Sequence, residues 1–128
     1  MTKKRITTVT ALLCLPFDAN ITDYIKAANG NMDVIASKIK GRTQIHTIEF
    51  VEDVETLQAI IGGYFELVTF SDAGVVAIIN EEGKLKDLDF TGYFGDYSFV
   101  GPVILAGAGR RGNLTNVDYD AAMALINA

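Results

Sequence analysis

The spacing of apolar positions changes several times along the chain, and each change marks an element. Residues 6–15, ITTVTALLCL, are rich in β-branched and aliphatic side chains and predict a strand that Pro16 stops. Asn20 or Thr22 caps a short helix carrying Ile21, Tyr24, Ile25 and Ala28, and Asn29-Gly30 ends it. Over residues 33–40, Val34, Ile35 and Ile39 fall at helical spacing and predict a second helix, closed by Gly41. From Arg42 the period becomes two. Ile45, Thr47, Glu49 and Val51 share one face and Gln44, His46, Ile48 and Phe50 the other, as in a strand covered on one side and contacted on the other. Asp53 then caps a helix whose stripe is Val54, Leu57, Ile60 and Ile61, and Gly62-Gly63 ends it.

Residues 64–70 and 75–80 read as strands joined across Ser71-Asp72-Ala73-Gly74, and Asn80-Glu81-Glu82-Gly83 as a further turn. A polar loop punctuated by aromatics is expected over 84–96. Residues 97–106 form the next strand, bulged or at an edge because Gly101-Pro102 interrupts it. Thr115 or Asn116 caps a closing helix with Val117, Ala121, Ala122, Leu125 and Ile126. The sum is an α+β domain: an antiparallel or mixed sheet of about four or five strands with helices mainly on one face. Residues 1–128 are read as one domain, in which 42–128 form the core and 1–41 an N-terminal arm that supports oligomerisation.

Composition narrows the chemistry. The chain is 128 residues long, 49% hydrophobic and 21% charged, enough for one core. Its net charge of −5 disfavours a general coat for duplex nucleic acid. One cysteine excludes an internal disulfide, and one histidine excludes the usual multi-His or Cys/His zinc sites. Lys3-Lys4-Arg5 before an apolar run imitates a signal peptide, but Thr7, Thr8 and Thr10 interrupt the run and no small-x-small cleavage site follows. No stretch reaches the roughly 18 apolar residues of a membrane span. A cytoplasmic protein without membrane contact is expected.

Gly107-Ala108-Gly109-Arg110-Arg111-Gly112 has G-x-G-x-x-G spacing, yet too little chain follows Gly112 to close a βαβ unit, so the dinucleotide-fold reading fails. A different use survives. Gly109 lets the backbone approach an anion, Arg110 and Arg111 supply planar bidentate donors, and Asn113 and Thr115 add neutral ones. The same segment also reads as a solvated loop. Phe90, Tyr93, Phe94, Tyr97 and Phe99 crowd together, and Tyr93 and Phe94 are candidates to stack a base, or else to pin the loop to the core or to a subunit interface. Arg42 and His46 flank one strand, and Arg42 is the candidate third cation. Cys14 with His46 would be a nucleophile pair, but Cys14 lies in an apolar run without an activating motif. Glu52, Asp53 and Glu55 suit a helix N-terminus, and no calcium loop, nucleophile elbow, P-loop or His-Glu-x-x-His sequence is present. No catalytic residue, metal ligand or cofactor is assigned.

The succession Gly62-Gly63-Tyr64, Asn80-Glu81-Glu82-Gly83-Lys84, Gly95-Asp96 and Val100-Gly101-Pro102-Val103 resembles a small domain family of formerly unknown function carried by phages, prophages and plasmids. The likeness covers residues 44–126. In size, acidity, lack of a catalytic set and C-terminal arginines the chain is also similar to phage anti-defence sponges of the first Thoeris anti-defence family. That resemblance implies a non-enzymatic, homo-oligomeric protein that sequesters a small phosphorylated immune signal, a cyclic nucleotide, without cleaving it. The site residues would be Gly109, Arg110, Arg111, Asn113, Thr115, Arg42, Tyr93 and Phe94, brought together where subunits meet. The rival reading is an acidic protein-interaction module that inhibits a host defence or restriction protein through Glu81, Glu82, Asp87 and Asp89. A third is a structural accessory domain without a ligand.

Overall fold

The computed structural model describes residues 7–127. Three strands open the architecture: β1 (Thr8–Pro16), β2 (Met32–Lys40) and β3 (Thr43–Val51), with helix α1 (Ile21–Ala28) between the first two. Helix α2 (Val54–Ile61) leads to β4 (Phe65–Phe70) and β5 (Val75–Asn80). Then come β6 (Phe90–Phe94), β7 (Tyr97–Val100), β8 (Val103–Ala108), β9 (Leu114–Thr115), helix α3 (Tyr119–Leu125) and β10 (Ile126–Asn127). The central sheet has seven strands in the order β2-β3-β1-β8-β5-β4, with β9 added beside the end of β8, and every pairing is antiparallel. A second sheet of three strands runs β10-β6-β7.

Both faces of the central sheet are covered, which explains why β1 is apolar on both sides. Val9, Ala11, Leu13 and Leu15 face α1 and α2, together with Ile48, Phe50, Leu57, Ile60 and Ile61. Leu12 and Cys14 point the other way, into a core shared with Phe94 and Phe99 of the small sheet and Ala122 of α3. The fold is therefore α+β as expected, but the main sheet is larger than four or five strands, and its second face is covered by one helix and a separate small sheet.

The local corrections have physical causes. Residues 33–40 are strand β2 rather than a helix. Its register to β3 shifts between Val34 and Ala36, so Ile35 is a bulge residue. One inserted residue moves the apolar phase and leaves Ile35 and Ile39 four apart, a spacing that imitates a helix. The segment expected as one strand over 97–106 divides at Gly101-Pro102 into β7 and β8, which belong to different sheets. Residues 90–94, expected within a loop, are β6, consistent with the strand preference of aromatic side chains. Helix α3 is capped by Asp118, whose carboxylate accepts from the Ala121 N–H at 3.1 Å. Thr115 lies in β9, and Asn116 instead accepts from the Thr10 N–H at 2.9 Å. Of the segment expected as an arm, residues 8–40 are sheet strands and a helix. β1 has β3 on one side and β8 on the other, so this part cannot leave without splitting the sheet.

Candidate functional site

The arginine pair sits at the tip of the β8–β9 hairpin. The Gly109 N–H donates to the Asn113 carbonyl at 2.8 Å, and the Gly112 N–H donates to Gly109 O at 3.4 Å. Two glycines are required by this closure. A Cβ on Gly109 would lie 2.7 Å from the Asn113 carbonyl, and Gly112 holds a left-handed φ of +77°. The turn thus has a defined shape and projects Arg110 and Arg111 outward, where both are exposed. Neither forms an ion pair among the described residues. Asn113 is exposed at the base of the turn, and Thr115 is held in the ladder opposite Gly107.

The turn is tied to the start of α2, because Glu52 Oε1 accepts from the Leu114 N–H at 3.0 Å. Asp53 caps that helix by accepting from the Thr56 N–H at 2.7 Å. Between α2, β4 and the turn lies a shallow groove of about 250 Å³, walled by Val54, Leu57, Leu67 and Leu114 and reaching Gly112. Its apolar walls come from separate elements, and only the tertiary arrangement brings them to the arginines. Leu67 and Val54 are exposed apolar residues, and that exposure is the signal that sequence reading lacked.

The remaining candidates are placed elsewhere in the chain. Arg42 lies over the Phe17 ring, 4.7 Å from its centroid, at the start of β3. The arginine turn adjoins the end of that strand through Glu52, so the length of β3, roughly 25 Å, separates Arg42 from the pair. The small sheet covers the opposite face from α2. Tyr93 is exposed there and packs edge-on to Phe90 at 5.2 Å. Phe94 is fully buried against Phe99 at 5.2 Å, so it cannot stack a base and belongs to the core. One chain does not bring the arginine turn, Arg42 and Tyr93 together.

The polar groups nearer the core have structural partners. Cys14 and His46 point to opposite faces of the sheet, since Cys14 pairs with Ile45 and His46 with Leu13. Burial pushes the Cys14 thiol far above its ordinary range, which keeps it protonated and unreactive. His46 is buried and held on both ring nitrogens, by Ser37 and by Gln44. Among the described residues no group of three or more His, Cys, Asp or Glu is placed to hold a metal ion.

A family model for a domain of unknown function, DUF3846, matches residues 32–125. The chain belongs to the DUF3846 family. No curated protein and no solved structure matches it. The DUF3846 match begins at β2 and ends within α3, so β1 precedes it although β1 fills the sheet between β3 and β8. Arg42, Tyr93 and the whole arginine turn fall inside the match. The glycine-bearing elements quoted from the sequence serve the architecture of this DUF3846 chain. Gly62 ends α2 in a left-handed conformation, and Asn80 donates to Ile61 O at 3.3 Å while accepting from the Glu82 N–H at 2.9 Å. No helix of the described residues is long and apolar enough to cross a membrane.

Proposed function

We propose that this protein binds a small phosphorylated ligand of the cyclic nucleotide class at the Arg110–Arg111 turn and sequesters it without cleaving it. The observation that carries the reading is the pair of exposed guanidinium groups, unpaired among the described residues, on a turn whose shape is fixed by the Gly109–Asn113 closure. Structural arginines tend to find carboxylates, and this chain has an acidic excess from which to supply them. Adjacent unpaired arginines suit bidentate recognition of phosphate. The base platform in this reading is Tyr93 with Phe90, in place of the buried Phe94. Because that platform lies across the sheet from the turn, it would come from a second copy, in a homo-oligomer that completes the site. Exposed Ile25, Val54, Tyr64 and Leu67 offer apolar surface for such association. With the resemblance noted above, the role proposed is anti-defence: a phage- or mobile-element-borne protein withholding an immune signal in the host cytoplasm.

A thermal-shift screen with cyclic mono- and dinucleotides, and inorganic phosphate as control, tests this. A ligand at a hundred times its Kd adds about 2.7 kcal/mol, which raises Tm by several degrees. Arg110→Ala/Arg111→Ala should abolish the shift without lowering the Tm of the unliganded protein. A double variant that shifts like the parent overturns the site.

One observation favours the rival reading, inhibition of a host defence or restriction protein. The turn over 81–89 exposes Glu81, Glu82, Asp87 and Asp89, and Leu85, which is 88% exposed, stands there between Lys84 and Lys86, the latter paired with Glu82 at 3.5 Å. An exposed apolar side chain in a charged loop with an acidic excess suits docking to a protein surface. Under this reading charge reversal at Glu81 or Asp89 reduces co-purification of a host protein, and no nucleotide shifts Tm.

A further inference from the structure

Ser37 of β2 stands directly opposite His46 of β3, and its Oγ lies 2.6 Å from His46 Nδ1. On the far side of the ring, Nε2 is 2.9 Å from Gln44 Oε1. Gln44 decides which ring nitrogen carries the proton. Its side-chain Nε2 donates to the carbonyls of Pro16, Phe17 and Ala19 at 3.2, 2.8 and 2.7 Å. Flipping that amide would set its oxygen against three carbonyl oxygens, so Oε1 is the atom that faces the imidazole. His46 Nε2 is therefore the N–H donor. In the neutral ring Nδ1 is then a bare acceptor for the Ser37 hydroxyl proton. Burial lowers the His46 pKa, which keeps the ring neutral near pH 7.

This is the relation a nucleophilic serine needs: hydroxyl to base to orienting acceptor, each within hydrogen-bond reach. Accessibility completes it. Ser37 is exposed, and β2 is the outermost strand of the central sheet. Among the described residues no strand lies beyond it, so backbone N–H groups on its outer side lack a ladder partner and are candidates to receive a carbonyl oxygen.

We propose that Ser37 is an acyl-accepting nucleophile for small esters, with His46 as its general base and Gln44 as the residue that positions His46. In the step, Ser37 Oγ bonds to the ester carbonyl carbon while its proton passes to His46 Nδ1. The carbon–oxygen bond to the alcohol breaks, and the departing oxygen takes that proton. Water, deprotonated by the same Nδ1, releases the acyl group as the acid and restores Ser37. The orienting group is a neutral amide rather than a carboxylate, so it stabilises the imidazolium less and slows both steps; with a good leaving group such as p-nitrophenolate deacylation is the slower one, and the acyl-serine accumulates. This chemistry is independent of the arginine turn, which is tied to Glu52 beyond the far end of β3, whereas His46 lies near the middle of that strand.

The test uses the full chain and p-nitrophenyl acetate near neutral pH, following p-nitrophenolate release and locating the acetyl group by tandem mass spectrometry. The expected result is a single burst, with acetyl on Ser37 that is absent in Ser37→Ala. His46→Gln should slow the acetylation by about a hundredfold. Ser37→Ala changes an exposed position on an edge strand, so the fold survives and the comparison stands even if the His46 variant is unstable. Imidazole ¹⁵N shifts should show a bare Nδ1 and a protonated Nε2 in the parent, and a mixture in Gln44→Met, a change that lost packing alone would not produce. Acetyl confined to lysines such as Lys38 and Lys40, equal Ser37 labelling with and without His46, or a protonated Nδ1 in the parent overturns the proposal.

Discussion

Two neighbouring aromatic residues show how far a residue's role depends on which side of a strand it faces. Tyr93 and Phe94 are adjacent in β6, so their side chains leave on opposite sides. Phe94 enters the core shared with Cys14 and Leu105, and Tyr93 stands exposed beside Phe90. The aromatic cluster was legible from the sequence, but which of its members faces solvent was not, because β6 itself went unread. Phe94→Ala should cost about 3–5 kcal/mol in urea denaturation, whereas Tyr93→Ala should leave that midpoint nearly unchanged. His46 supplies a pH dependence whose sign is fixed. Burial holds its folded pKa below the ordinary value of about 6.5, so the unfolded chain binds the proton more readily. The stability this contributes is complete above pH 6.5 and is lost as pH falls from there towards the folded pKa. Unfolding midpoints measured between pH 7.5 and 5 should decline in the parent, and His46→Gln should remove part of that decline.

At the level of elements, the chain announces the ends of α1 and α2 more clearly than the start of α3 or the ends of its strands. Asp53 and Gly62 bracket α2 as their chemistry requires, one by accepting an N–H and the other by adopting a left-handed φ of +86°. Both were readable because capping depends on local residues. β2 was not, since a bulge at Ile35 shifts the alternation that identifies a strand. The split between β7 and β8 was half visible: Gly101-Pro102 marked a break, but nothing local says that the chain changes sheets there. Gly101 carries that change with a φ of +68°, and a Cβ would lie 2.7 Å from Leu88 Cδ1. Gly101→Ala should therefore cost about 1–3 kcal/mol from backbone conformation, with the Leu88 contact adding to it. A denaturant titration measures it, and the loss should exceed that of Gly112→Ala, where the added Cβ meets nothing within 4 Å.

For the whole molecule, the α+β class followed from the alternation of element types, while the sheet's size and its second covered face did not. β1 reads as an ordinary strand of an arm, and its place between β3 and β8 depends on pairings across the full length of the chain. The proposed site likewise depends on long-range placement. The arginines were legible from their glycine setting. Their separation from Arg42 by the length of β3, and from Tyr93 by the packing of β6 on the face opposite α2, was not. That separation makes the oligomer part of the proposal, since a phosphate held at one turn meets an aromatic platform only on another copy. The most direct measurement passes the protein and a cyclic nucleotide through gel filtration, denatures the protein peak by heat and identifies what is released by mass spectrometry. Intact nucleotide should travel with an oligomeric parent and be absent from Arg110→Ala/Arg111→Ala. Nucleotide released in cleaved form, or carried equally by the double variant, would contradict sequestration at the arginine turn.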